Sequence, residues 1–161
     1  MDGVEEKHQT ALEYLAMGFS VIPVKPGSKE PLVPWATYQE RYPTSEELDT
    51  WIEAWPQCNL GIITGKISGI SVIDVDGEKG RDSIRGIVLP PTRVVKTPRG
   101  YHYYYQYNED MRTVAGQLDG VDIRSDGGFV VAPPSSVNDL PYHVVRDNDI
   151  ASFDPPKELI E

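Results

Sequence analysis

Two aspartates one residue apart, Asp74 and Asp76, close the segment Ile70-Ser71-Val72-Ile73-Asp74-Val75-Asp76-Gly77. Side chains alternate along an extended chain, so both carboxylates take one face while Ile73 and Val75 take the other. Two like charges so placed repel unless a cation lies between them. Hard oxygen ligands at this spacing suit Mg²⁺ or Mn²⁺. A pair of solvated aspartates at a strand end has the same spacing. The apolar run before Asp74 distinguishes this pair, because it sets the acids at the exit of a buried strand.

A second constellation is Lys96-Thr97-Pro98-Arg99-Gly100-Tyr101-His102-Tyr103-Tyr104-Tyr105. On a strand starting at Tyr101, tyrosines 101, 103, 105 and 107 share one face, and His102 shares the other with Tyr104 and Gln106. A histidine just beyond a glycine turn can donate a hydrogen bond to a phosphate oxygen. The tyrosine row reads as sheet packing, since the strand period alone explains it.

The third runs Gly120-Val121-Asp122-Ile123-Arg124-Ser125-Asp126-Gly127-Gly128 and on to Ser135. Asp122 and Arg124 share a face. They form either a plain ion pair, or a third metal-binding carboxylate beside a guanidinium that holds a triphosphate. Gly127-Gly128 predicts a hairpin with Ser125 and Asp126 at its tip.

Two other motif matches compete. Asp74-Val75-Asp76-Gly77 also resembles the first motif of haloacid-dehalogenase-type phosphatases, whose first Asp is a nucleophile. Glu78 follows the glycine where Thr or Val is usual, and that fold needs a parallel sheet with crossover helices. It stands as the alternative enzyme. Gly61 to Ile67 has only three residues between its glycines, and Ile67 replaces the Ser or Thr of a P-loop, so it is not one.

The elements that must position these residues follow from periodicity. Val4, Ala11, Leu12 and Leu15 predict a helix ending near Gly18, and Phe19–Val24 a strand. After the loop KPGSKEPLVPW, Thr44 and Glu47 form a capping box that opens a second helix, stopped by Pro56. Strands are predicted at 60–64 and 70–75, paired through a turn at Gly65 and Gly69. A short polar helix or loop at 77–86 precedes further strands at 93–96, 101–107, 121–124, 129–132 and 142–145. Helix, strand, helix and then mostly strands give an α+β fold with an antiparallel sheet.

Composition sets the class. The 161 residues are 39% hydrophobic and 25% charged, ordinary for one compact folded domain. No apolar run approaches the roughly 18 residues of a membrane span. The N-terminal MDGVEEKHQT lacks the pattern of a secretory signal, so a cytoplasmic location is expected. The single cysteine, Cys58, excludes an internal disulfide and a cysteine-rich zinc site. A net charge of −10 opposes nucleic-acid binding, but it is uneven: Lys79 to Arg99 holds six bases against one acid, Asp82.

Taken in order, these constellations resemble the primase-polymerase (prim-pol) domain of the archaeo-eukaryotic primase superfamily, as in bifunctional DNA primase/polymerase N-terminal domains. That superfamily carries a D-x-D or D-x-E motif, a small-x-His motif and an Asp after a hydrophobic residue. Asp74-Val75-Asp76, Gly100-Tyr101-His102 and Val121-Asp122 match them. The opening ALEYLAMGFSVIPVKPGSKEPLVPW, the NLGIITG stretch and GGFVVAPPS are similar to further family features, so the resemblance spans nearly the whole chain.

The resemblance implies a single domain over 1–161, with an N-terminal αβ unit (about 1–58) packed on an RRM-like catalytic half (about 59–155). It implies a template-directed DNA primase/polymerase using two divalent metals, Mg²⁺ or Mn²⁺, held by Asp74, Asp76 and Asp122. His102 would contact the incoming triphosphate, with Arg124, Lys29, Arg99 and Ser135 as further nucleotide-binding candidates. Arg93, Lys96 and Arg99 are candidates for the template. The expected partners are single-stranded or primed DNA and dNTP or NTP substrates. A C-terminal helical accessory segment and a helicase are expected in a longer protein from which this domain derives. A non-catalytic nucleotide- or ssDNA-binding replication domain is the non-enzymatic alternative. Two departures from the family stand out. Gly100 leaves no hydroxyl where a Ser is often found, and no Cys/His cluster exists for a zinc-bearing stem.

Overall fold

The computed structural model describes residues 2–161. Helix α1 (Gly3–Ala16) starts at Asp2, whose side chain accepts the Glu5 N–H at 2.7 Å. It ends where Gly18 takes the left-handed conformation (φ +88°), which lets the Phe19 N–H donate back to the Tyr14 carbonyl. Strand β1 (Ser20–Val24) follows, wholly buried. Helix α2 (Ser45–Ala54) opens on the expected capping box of Thr44 and Glu47.

The remaining elements are β2 (Asn59–Ile63), β3 (Ile70–Asp76), α3 (Gly77–Ile84), β4 (Arg93–Lys96), β5 (Gly100–Gln106) and β6 (Val114–Leu118). Then come β7 (Val121–Arg124), β8 (Phe129–Ala132), β9 (Ser136–Val137), β10 (Leu140–Pro141) and β11 (His143–Arg146). They form a six-stranded sheet in the order β11-β4-β5-β3-β7-β6, a three-stranded sheet β1-β2-β8 and a β9–β10 ribbon. Every strand pairing is antiparallel. The fold is α+β, as expected.

Two expected hairpins are not there. β2 and β3 lie in different sheets and meet only at a Gly65–Ile70 bridge, and β7 and β8 are likewise split between the sheets. The reason is that both connections cross from one sheet to the other side by side, and they bond to each other. Lys66 N–H donates to Asp126 Oδ1 (2.9 Å), Thr64 N–H to the Gly128 carbonyl (3.0 Å) and Thr64 Oγ1 to the Ser125 carbonyl (2.7 Å). Gly65 (φ +93°) permits the approach, since a Cβ there would lie 2.7 Å from the Asp126 Cα. The three-stranded sheet thus joins β1, from the expected N-terminal unit (about 1–58), to β2 and β8, from the expected motif-bearing half (about 59–155). β6 and the β9–β10 ribbon are additions that periodicity did not reveal.

Alternation along β3 serves two cores. Ile73 and Val75 pack with Tyr105, Val121, Ile123 and Phe153 on one face. Ile70 and Val72 face the other way, into the larger core beneath α1, α2 and the three-stranded sheet. Asp74 and Asp76 continue that second face to the strand's end. No helix among the described residues is long and apolar enough to cross a membrane.

Candidate active site

The three sequence constellations meet in one row. Asp74 on β3 is in register with His102 on β5 and, on its other side, with Asp122 on β7. Antiparallel partners present their side chains on the same face, so all three point away from the Ile73–Val75 core. Asp74 and His102 are 5% and 6% exposed. His102 Nε2 lies 3.5 Å from Asp74 Oδ1, at the outer edge of contact, and that oxygen has no hydrogen-bond partner; neither does His102 Nδ1.

Asp76 occupies the N-cap position of α3, yet its carboxylate makes no capping bond. It is left to face Asp74. Burial and the charge of Asp74 push the Asp76 carboxyl above its ordinary range, with Arg99 and Lys29 opposing. Burial pushes Asp74 the same way, but the contact with His102, helped by Lys29 and Asp76, holds it below.

A tight turn frames the pair. Thr97 N–H donates to the Gly100 carbonyl and Gly100 N–H to Thr97 Oγ1, both at 2.9 Å, and Gly77 N–H donates to the Arg99 carbonyl at 2.8 Å. Gly100 is required: a Cβ there would lie 1.8 Å from the Val75 carbonyl oxygen. No serine fits, which explains the departure seen in the sequence.

Two cavities meet at Lys29, Asp74, His102 and Tyr142. The smaller, about 250 Å³, adds Trp35, Arg124 and the Gly127–Val131 segment. The larger, about 400 Å³, adds Asp76, Thr97, Arg99, Val137 and Leu140. Lys29 reaches both from a loop held by the Lys25 N–H to Glu30 carbonyl bond (2.8 Å) and a Val24–Pro31 bridge.

Asp122 is brought into the row but not into the cluster. Its Oδ1 accepts the Gly116 N–H (2.7 Å) and its Oδ2 accepts Arg124 Nη2 (3.1 Å). Among the described residues, no three His, Cys, Asp or Glu side chains converge closely enough to enclose a metal ion. Asp74 and Asp76 nevertheless suit a divalent cation: two carboxylates on one strand face, one with a buried oxygen lacking a partner, beside a cavity lined by Lys29 and Arg99. Mg²⁺ commonly takes one or two carboxylates and completes its shell with phosphate and water.

Three other candidates sit elsewhere. Ser135 is buried, and its hydroxyl accepts the Leu60 N–H (2.8 Å) and donates to the Leu60 carbonyl, tying down β2. It lines neither cavity. Arg93 is only 8% exposed, lies over the Tyr104 ring at 5.5 Å and pairs with Asp147 at 3.5 Å, facing a separate crevice beside α1. Lys96 pairs with Tyr101, over whose ring its amine lies at 5.2 Å, on the sheet face opposite Asp74. Of the basic stretch, only Arg99 reaches the cluster.

Sequence reasoning missed Tyr142 and gave Trp35 no role. Tyr142 is buried against His102, ring centroids 6.1 Å apart, and its hydroxyl is pushed up to about 12 by burial and by the charges of Asp74 and Asp76. No periodicity singles it out, because it follows Pro141 where a two-residue ribbon ends. A family model described as bifunctional DNA primase/polymerase, N-terminal, matches residues 11–159. No curated protein matches the chain.

Proposed function

As the chain belongs to the bifunctional DNA primase/polymerase N-terminal family, we propose that it is a template-directed nucleotidyltransferase acting at the Asp74–Asp76 cluster. The observation that supports this most is the His102–Asp74–Asp122 row, which gathers three distant motifs on one sheet face, with Asp74 and His102 lining both cavities.

In this reading Asp74 and Asp76 hold Mg²⁺ or Mn²⁺. Bound there, the cation would neutralise phosphate charge and acidify a primer 3′-hydroxyl. The protein's own residues position and stabilise. Lys29 and Arg124 would grip triphosphate oxygens, Arg124 with a planar fork that can bond two at once. His102 would donate a further hydrogen bond, its ring steadied by Tyr142. If Arg124 exchanges Asp122 for the triphosphate, Asp122 is freed to serve as a third carboxylate. Arg99, beside the larger cavity, is the best placed candidate for the DNA backbone.

The phosphatase alternative loses its scaffold, because β3 is antiparallel to both neighbours. The Asp122–Arg124 pairing favours one second reading, a domain that binds nucleotide or single-stranded DNA without chemistry. A primed template with one defined templating base separates the two. The nucleotidyltransferase adds only the complementary nucleotide and hydrolyses no simple phosphomonoester; a binding domain adds none.

A further inference from the structure

The smaller cavity has an aromatic corner to which the chemistry above assigns no task. Trp35 and Phe129 meet there edge to face, centroids 5.2 Å apart and planes at 73°. Both are only partly buried, and both line the cavity with Lys29, Asp74, His102 and Arg124. Phe129 is backed by Gly61, where a Cβ would stand 3.2 Å from its ring, so the glycine makes room for the phenyl. Trp35 arrives on the loop that brings Lys29, tied to β1 by the Leu32 N–H to Pro23 carbonyl bond (2.9 Å). One short loop thus delivers a cation and an indole to the same cavity. The larger cavity is walled differently, by the aliphatic Val137 and Leu140 of the ribbon.

We propose that the Trp35–Phe129 corner seats the base of the incoming nucleoside triphosphate, with Trp35 as the stacking ring. Lys29 and Arg124 take the phosphates. The proposal rests on the nucleotidyltransferase reading and assigns its nucleotide to the smaller cavity. An edge-to-face pair leaves ring surface free for a planar guest. Stacking tolerates any base, because every base has a π face. A template-dictated enzyme needs such a neutral seat, since a pocket that read the base by hydrogen bonds would compete with the template.

Calorimetry with dATP and with inorganic tripolyphosphate, each with Mg²⁺ and no DNA, tests the seat. Trp35→Leu should weaken dATP binding by about 5- to 100-fold and leave tripolyphosphate unchanged, while Trp35→Phe stays near wild type. In the wild-type chain dATP, but not tripolyphosphate, should quench tryptophan emission. That quench should vanish in Trp35→Phe, where Trp51 and Trp55 remain. The fluorescence arm does not depend on Trp35→Leu folding. Equal weakening of both ligands would show that Trp35 only supports the Lys29 loop, and would overturn the proposal. So would unchanged dATP affinity in Trp35→Leu, or a quench that survives in Trp35→Phe. Wild-type protein that binds neither ligand would instead remove the nucleotidyltransferase reading, and the seat with it.

Discussion

Asp74 and Asp122 stand directly opposite each other on β3 and β7, yet Asp122 turns its oxygens to Arg124 and the Gly116 N–H and lines neither cavity. The row is therefore built while one of its two carboxylates is engaged outside the cavities. In the proposed reaction, an exchange of Asp122 for the triphosphate by Arg124 is the step that would free this carboxylate.

Arg124→Ala and His102→Ala should each weaken nucleotide affinity by roughly one to two decades, since a hydrogen bond to a charged group contributes about 1.5–3 kcal/mol. Titration calorimetry with a non-hydrolysable dNTP measures this. Unchanged affinity in both variants leaves Arg124 as a structural partner of Asp122 and nothing more.

Gly100→Ala should disrupt the β3–β5 pairing next to Asp76, because the new methyl would meet the Val75 carbonyl at 1.8 Å. A backbone contact that short cannot be relieved by a side-chain rotation. The expected loss is about 3 kcal/mol or more in denaturant unfolding, with nucleotide incorporation falling alongside. Wild-type stability in this variant would show that the turn is more compliant than its hydrogen bonds imply.

Away from the site, Glu47 carries a pH signature. Its bonds from Arg41, together with those from Tyr38 and the Thr44 N–H, hold its carboxyl down at about 2. A folded-state value below the unfolded one contributes stability above the unfolded pKa, and this is lost as pH falls through the folded one. Glu47→Gln keeps the capping geometry and drops the charge. It should cost about 1 kcal/mol near neutrality, with the difference from wild type closing between roughly pH 4.3 and 2. Thermal melts across that range check it, and a constant gap would point to packing.

The basic stretch should divide by burial. Arg99→Glu should weaken binding of a primed template and reduce its salt dependence by about one unit of slope. Arg93→Glu should mainly lower stability, by about 2–3 kcal/mol, because Arg93 is buried over Tyr104. Fluorescence anisotropy over a salt series, beside a thermal melt, separates the effects. With a net charge of −10, the chain should extend a primer better than it starts one, since starting relies more on holding bare template. Efficient unprimed synthesis at physiological salt would contradict that.

Legibility followed the range of the interaction. The capping box of Thr44 and Glu47, the alternation that puts Asp74 and Asp76 on one face, and the strands at 93–96, 121–124 and 129–132 are local, and were readable. Which strand pairs with which was not. β2 is buried throughout and β3 as far as Val75, so no exposed side along their apolar stretches reveals a partner, and the Gly65 and Gly69 turn looks the same whether it closes a hairpin or crosses between sheets. Arg93 and Ser135 line neither cavity for a related reason, because their type suggests exposure while Tyr104, across the β4–β5 pair, and Leu60, far away in sequence, withdraw them. Trp35 and Tyr142 join the site only through the meeting of two sheets.

The most direct measurement is single-nucleotide incorporation on a primed template, with Mg²⁺ or Mn²⁺, by wild-type protein and by Asp74→Ala and Asp76→Ala. Each variant should be melted alongside in the absence of metal. Wild type should add the complementary nucleotide. Both variants should add none. Asp76→Ala should melt no lower than wild type, because it removes the carboxylate that burial and the charge of Asp74 disfavour, whereas Asp74→Ala also gives up the His102 contact and should melt lower. Full incorporation by either variant would contradict the placement of the reaction at Asp74 and Asp76.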